Sequence, residues 1–367
     1  MFVALRDLRF ARGRFALMGA VVLLITLLVT MLSGLTAGLA QENISAISRL
    51  PADRIVFSTG KGPDGAPAKP SFADSRITDR TWREWQRVDG ISSAERLGIT
   101  MGRLTSGPDD GSSAAAAIFG VQPGGELARG SGGGVDTGMV VLSAGLAESS
   151  GLKAGARVRI SGRDFTVAGT GGTASYSHAP VAWISIGDWE EMGRRGGTDI
   201  VATVLALRTP ADPDFSSADK RLDTTTVTLA DAPAAIGSFS SENGSLQLMR
   251  AFLFAISALV IGAFFTVWTI QRRGDVAVLK ALGAGTAYLL RDALAQAVVV
   301  LLLGAGIGGA IGAGVGALAE GTVPFVLSAT TTVVPVTVMI LLGALGAALA
   351  IRKITSVDPL TALGASR

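Results

Sequence analysis

Cysteine is missing from all 367 residues, and His178 is the one histidine. The first absence excludes disulfides, thiolate metal sites, iron–sulfur clusters and cysteine nucleophiles. The second excludes multi-histidine metal centres and any catalysis that needs two imidazoles. No metal site made by the protein alone is expected, and no catalytic residues or intrinsic cofactor. Aromatic residues make up only 6% of the chain and charged residues only 17%, with a formal net charge of +3. That balance is too weak to argue for a nucleic-acid partner. A G-x-x-x-x-G-K-[ST] phosphate loop is absent as well, so any nucleotide is expected on another chain.

What the chain has in quantity is glycine, at 48 residues, and apolar length, with a mean hydropathy of +0.47. Four uncharged stretches stand out, Phe15 to Leu39, Ala251 to Ile270, Ala293 to Ala319 and Gly321 to Ile351. Each reaches the ~20 residues that a helix needs to cross about 30 Å of hydrocarbon. The first is preceded by Arg6, Arg9, Arg12 and Arg14 like a secretory leader. It is longer than the roughly 7 to 15 apolar residues of a leader, so a retained span is expected.

Basic residues gather at Arg6 to Arg14, at Arg272, Arg273, Lys280 and Arg291, and at Arg352 and Lys353. With four spans all three clusters fall on one side, which the positive-inside rule makes the cytoplasm. The expected fold is an integral membrane protein of four transmembrane helices plus an extracellular α+β domain. It has a cytoplasmic amphipathic N-terminal helix over 1–14, a first span over 15–40 and the extracellular domain over 41–247. The second span covers 248–271, a cytoplasmic loop 272–291 and the third span 292–319. A short outer loop at 320–329, the fourth span at 330–351 and a cytoplasmic tail at 352–367 complete it.

Gly304, Gly308, Gly312 and Gly316 recur every four residues in the third span, and Gly34 and Gly38 sit in the first. Such rows let helix backbones approach closely, which is the role expected of them. Gly304, Gly306 and Gly309 also spell G-x-G-x-x-G. No βαβ unit surrounds them, so helix packing is the better reading. Pro335 in the last apolar stretch predicts a kink or a late helix start.

In the outer segment, Lys61 to Pro70 and Gly124 to Gly138 read as loops. Thr78 or Asp79 can cap a short helix carrying Trp82, Trp85 and Val88, whose ordinary role is packing on a sheet. Strands are expected at Met139 to Ser143, Val181 to Ile186 and Ile200 to Leu207. Short helices are expected at Ala144 to Ser150 and about Asp188 to Arg194. Arg157 to Ile160 and Phe165 to Ala168 read as a hairpin with Ser161 to Asp164 at its tip. His178 stands in Ser175-Tyr176-Ser177-His178-Ala179-Pro180, a connection where a lone imidazole is ordinarily hydrogen-bonded rather than a ligand.

The cytoplasmic loop contains Asp275-Val276-Ala277-Val278-Leu279-Lys280-Ala281-Leu282-Gly283-Ala284 after the basic pair Arg272-Arg273, and the chain ends on Asp358-Pro359-Leu360-Thr361-Ala362-Leu363. Both motifs resemble the FtsX-like and MacB-like permeases of ATP-binding cassette transporters. Val141 to Ile160 followed by Phe165 to Gly169 is similar to their porter-type outer region. The likeness spans nearly the whole chain, except about Lys61 to Gly138. It implies two copies of a partner ATPase that binds ATP and Mg, a homodimer of this chain in the lipid of a bacterial cell membrane, and a cytoplasmic coupling helix. On that helix Val276, Leu279 and Leu282 share one apolar face, flanked by Asp275, Lys280 and Gly283, fit to dock in a groove on a moving partner.

Ala11 to Leu17, Ser33 to Ser45 and Tyr176 to Pro180 are similar to the haem-exporting branch of the family. That likeness implies haem as the transported ligand, with Met31, Glu42 and Met249 as candidate cargo-binding residues. Another amphiphile, or a non-transporting permease that switches an extracellular cell-wall hydrolase, is the alternative.

Overall fold

The computed structural model describes residues 12–355 apart from 61–67, 107–112, 133, 194–198, 211–212, 272–273, 275–277, 279–281 and 320–321. Two compact units form: a helical one, from residues up to Gly38 and from Gly244 onward, and an α+β one, Leu39–Asn243. Along the chain, helix α1 (Arg12–Ser48) is followed by β1 (Arg54–Ser58), β2 (Ile77–Thr78), α2 (Asp79–Trp85), β3 (Ser93–Ser106), β4 (Ser113–Val121) and α3 (Glu126–Gly130). Next come β5 (Met139–Leu142), α4 (Ala144–Ser150), β6 (Arg157–Ile160), β7 (Arg163–Thr170), β8 (Ser175–Tyr176), β9 (Ala179–Ser185) and α5 (Ile186–Gly193). The domain ends with β10 (Ile200–Ala202), β11 (Val204–Arg208), α6 (Phe215–Leu222) and β12 (Thr224–Thr228), before the long helices α7 (Gly237–Gln271), α8 (Thr286–Ala319) and α9 (Ala329–Thr355).

Four helices, α1, α7, α8 and α9, are long and apolar enough to cross a membrane. They share a core that includes Val22, Val29, Ile261, Phe265, Leu301 and Met339. Glycine sets how closely they pack. A Cβ at Gly308 would stand 2.4 Å from the Leu23 carbonyl oxygen, and one at Gly304 2.9 Å from that of Gly19. Gly312 faces Thr30, while Gly34 and Gly316 make room for the Phe325 ring and Gly38 for the Pro324 carbonyl. Gly306 and Gly314, on the same helix, face open space. Helix α9 begins only at Ala329, eight residues into its apolar stretch, and holds Pro335 inside it.

In the α+β unit the strands run β12-β1-β11-β3-β4-β9-β5-β7-β6, and β6 pairs back onto β3. Six strands therefore close a ring, whose buried side chains, among them Leu104, Ile118, Val140, Val158, Phe165 and Ile184, form one cluster with Leu146 of α4. Strand β3 belongs to both halves of the sheet. Ser93 to Leu97 pair with β11, and Gly98 to Thr105 pair with β4. Trp189 of α5 lies over that strand pair, because a Cβ at Gly98 or Gly120 would collide with it.

Several sequence expectations need correction. Gly124 to Gly138 is not all loop: α3 occupies its start with Leu127 and Ala128 in the core. The Glu95 carboxylate accepts from the N–H groups of Glu126 and Leu127, a cap supplied from a distant strand. The tip of the β6–β7 hairpin is only Ser161 and Gly162, both at positive φ, and Asp164 sits in the strand paired with Arg159. The strand expected at Ile200 to Leu207 divides at Thr203. That residue turns its hydroxyl to the Ile99 N–H, so β10 pairs with β2 and β11 with β3. Thr78 does cap α2, accepting from the Thr81 N–H at 3.2 Å, and Trp85 is fully buried.

Candidate functional site

The connection that carries the histidine is a two-residue hairpin turn between β8 and β9, with Ser177 at φ 49° and His178 at φ 62°. Consecutive left-handed residues suit Gly and Asn, so Ser and His here hold a conformation that costs about 1 kcal/mol or more each. Contacts around the turn hold it in place. His178 Nε2 lies 2.8 Å from the Glu242 carboxylate and 3.1 Å from Asn43 Nδ2, and its Nδ1 lies 3.9 Å from Glu42. One nitrogen cannot donate to Glu242 and accept from Asn43 at once. Asn43 Nδ2 also reaches Glu242 Oε2 at 3.3 Å. A single assignment satisfies the group: Nε2–H and the Asn43 amide both donate to Glu242.

Asn43 is 1% exposed and is the hub of this cluster. Its Oδ1 accepts from the Ser238 hydroxyl at 3.0 Å, and its backbone carbonyl accepts from the Ser177 N–H at 2.9 Å. Ser177 and Ser238 share a hydroxyl contact at 2.9 Å. Two residues on, Ser45 Oγ accepts from the Ser175 N–H at 2.9 Å and donates to the Ser175 carbonyl at 3.2 Å. The turn is thus clamped between residues near the end of α1 and residues at the start of α7. A rigid sheet element gripping two helix ends can pass a displacement of one to the other.

Of the candidate cargo residues, Glu42 stands exposed at the edge of this clamp. Met31 is half-buried on α1, and Met249 is 51% exposed on α7, both in the helical unit. Among the coupling residues, Leu282 is 80% exposed, its N–H donating to the Val278 carbonyl at 3.0 Å, and Gly283 follows at φ 95°. Glycine adopts that left-handed backbone without the penalty a Cβ would bring. Asp275, Val276, Leu279 and Lys280 lie outside the described residues, as does the terminal motif Asp358 to Leu363. Among the described residues no group of three His, Asp or Glu is arranged to hold a metal ion. Sequence reasoning missed Asn43, Ser238 and Glu242. They lie 61 to 199 residues from their partners across the clamp and belong to no motif, the polar ends of two apolar stretches being the only signal.

The MacB-like periplasmic core domain matches residues 15–225, more than half of the chain, and the FtsX-like permease C-terminal domain matches 248–359. A protein of Staphylococcus epidermidis named as the hemin transport system permease HrtB is 25% identical over 370 residues, covering 99% of both chains. Its counterpart in Staphylococcus haemolyticus is 24% identical with the same coverage. An uncharacterized ABC transporter permease of Mycobacterium tuberculosis is 31% identical over 120 residues, 33% of this chain and 34% of its own. The periplasmic region of MacB from Actinobacillus actinomycetemcomitans covers 52% of the chain at 14% identity with a TM-score of 0.36, too loose a likeness to bear on function.

Proposed function

Since the chain belongs to the MacB-like and FtsX-like permeases, the membrane subunits that work with an ATP-binding cassette ATPase, we propose that it exports haem across the cell membrane. The observation that supports this cargo is the end-to-end alignment with hemin transport permeases, 99% of each chain without a missing domain. The chemistry available agrees with it. Thioethers ligate haem iron and carboxylates suit harder ferric iron. Met31, Glu42 and Met249 supply both donor types on the two helices that flank the outer domain in the chain.

In this reading two copies pair through α1 and α7, and two ATPases bind ATP and Mg below them. The permease needs no cofactor of its own. Both chain ends face the cytoplasm, an orientation that the basic clusters support. Closure of the ATPases pushes on the coupling segment from Asp275 to Gly283, where Leu282 offers an exposed apolar knob. The push narrows the cleft between α1 and α7 of the dimer and expels a lipophilic cargo outward. The clamp around Asn43 carries the motion of the helix ends into the outer domain.

The test is purification of the chain with its ATPase and titration with haem, followed through the Soret band and ATP turnover. A saturable spectral shift with stimulated turnover is expected, and Glu42→Gln and Met31→Ala should each alter the band. Absence of any saturable shift would remove haem while leaving the permease. ATP turnover that instead answers to an added cell-wall hydrolase would replace export by mechanical signalling.

A further inference from the structure

Outside the clamp, the α+β unit carries a cleft of about 570 Å³. Its walls are largely apolar: Phe72, Ile99, Met101, Trp189 and Ile236. They are also pre-formed. Trp189 is seated over the two glycine gaps and tied by its Nε1–H to Thr100 Oγ1 at 2.9 Å. This is the size and character of small-molecule sites, where a few unsatisfied polar groups decide the ligand.

Most polar groups of the lining are already committed. Thr203 bonds to Ile99, Ser177 and Ser238 bond to each other, and Glu190 is ion-paired with Arg96. Two are not. Tyr176 is 7% exposed, with its ring packed edge-on against Phe72 and Phe119, yet its hydroxyl has no hydrogen-bond partner among the described residues. Burial pushes that phenol up to about 12, so it remains a donor at physiological pH. The hydroxyl opens on the cleft, where it can donate to a ligand acceptor in place of water.

Arg76 is the second. Its Nη1 donates to the carbonyls of Ala73 and Ser75, both at 2.8 Å, which fixes the guanidinium. The exposed side chain makes no ion pair among the described residues, where its Nε and Nη2 hydrogens have no protein acceptor, and the one carboxylate named in the lining, Glu190, is paired with Arg96. Those two N–H groups form the edge of the guanidinium that matches a carboxylate with two parallel bonds. The long helix α7 also starts on the rim, at Gly237 and Ser238, and its N-terminal dipole adds positive potential.

We propose that this extracellular cleft binds a small amphipathic carboxylate, its acid group on the free edge of Arg76, an oxygen accepting from Tyr176 and its apolar body against Met101, Ile99 and Trp189. This site lies wholly in the outer domain and is independent of where haem binds. A single fixed cation with one open edge favours a monoanionic carboxylate over a phosphate dianion.

The full chain in zwitterionic lipid nanodiscs, titrated with 11-(dansylamino)undecanoic acid and read by tryptophan-to-dansyl energy transfer against empty nanodiscs, tests it. Saturable binding, displaced by dodecanoate, is expected. Arg76→Gln should weaken it about tenfold and Arg76→Lys less, while Tyr176→Phe, which keeps the ring packing, should weaken it severalfold. The methyl ester of the probe should bind about tenfold less tightly. Equal binding of acid and ester, or unchanged binding in both Arg76→Gln and Tyr176→Phe, would overturn the proposal in favour of lipid partitioning.

Discussion

At the residue scale the clamp is asymmetric. Asn43 is buried with both ends of its amide engaged, whereas His178 and Glu242 are exposed and their hydrogen bond competes with solvent. Asn43→Ala takes the Asn43 acceptor from the Ser238 hydroxyl, leaving it only Ser177, and removes a donor from Glu242, so a loss of about 1–3 kcal/mol is expected. His178→Asn keeps a residue that tolerates the left-handed turn and deletes only the imidazole contacts, so a smaller loss, under about 1 kcal/mol, is expected. Thermal unfolding of the two detergent-solubilised variants, followed by tryptophan fluorescence, measures both. A larger loss for His178→Asn would show that the imidazole, not the amide, is the hub.

Elements show where one methyl group decides the packing. Gly308→Ala sets a carbon 2.4 Å from a backbone oxygen of α1 that cannot swing away, whereas Gly306→Ala, two residues along, enters open space. The first should destabilise the helical unit by about 1–3 kcal/mol, and the second should be neutral or slightly stabilising. The ratio of folded to aggregated protein after heating in detergent separates them, and equal behaviour would refute the close approach. The four spans were legible because length without charge is a strong signal. Strands β3 and β4 were not. Gly98, Gly102 and a run of Ala114 to Ala117 give little hydrophobic alternation, and the pairing of these strands is decided by Trp189 filling the glycine gaps from α5. Helix α3 was hidden for a like reason, since its cap comes from Glu95, thirty-one residues upstream. The clamp was half visible: Glu42 and the Tyr176–His178 segment could be singled out, but nothing local ties them to Glu242.

For the whole molecule, the segment before α8 is where a partner's stroke would be received. Leu282→Asp replaces an exposed apolar knob with a charge while leaving the left-handed glycine that follows it. With the ATPase present, this variant should retain haem binding but lose most of the haem stimulation of ATP turnover, and unimpaired stimulation would place the coupling contact elsewhere. The order of strands carries a different consequence, for how the protein is made. Strand β1 pairs with β11 and β12, and the first half of β3 pairs with β11, so Arg54 finds its neighbours only at Leu207 and Thr228. While the ribosome is still adding the residues between, the early strands have unpaired flanks and the six-strand ring has nothing to brace it. The β12-β1-β11 flank of the nascent outer domain therefore stays unpaired and threadable until almost all of the domain has been synthesised, while the six-strand ring, whose strands all lie between Ser93 and Ser185, can close earlier.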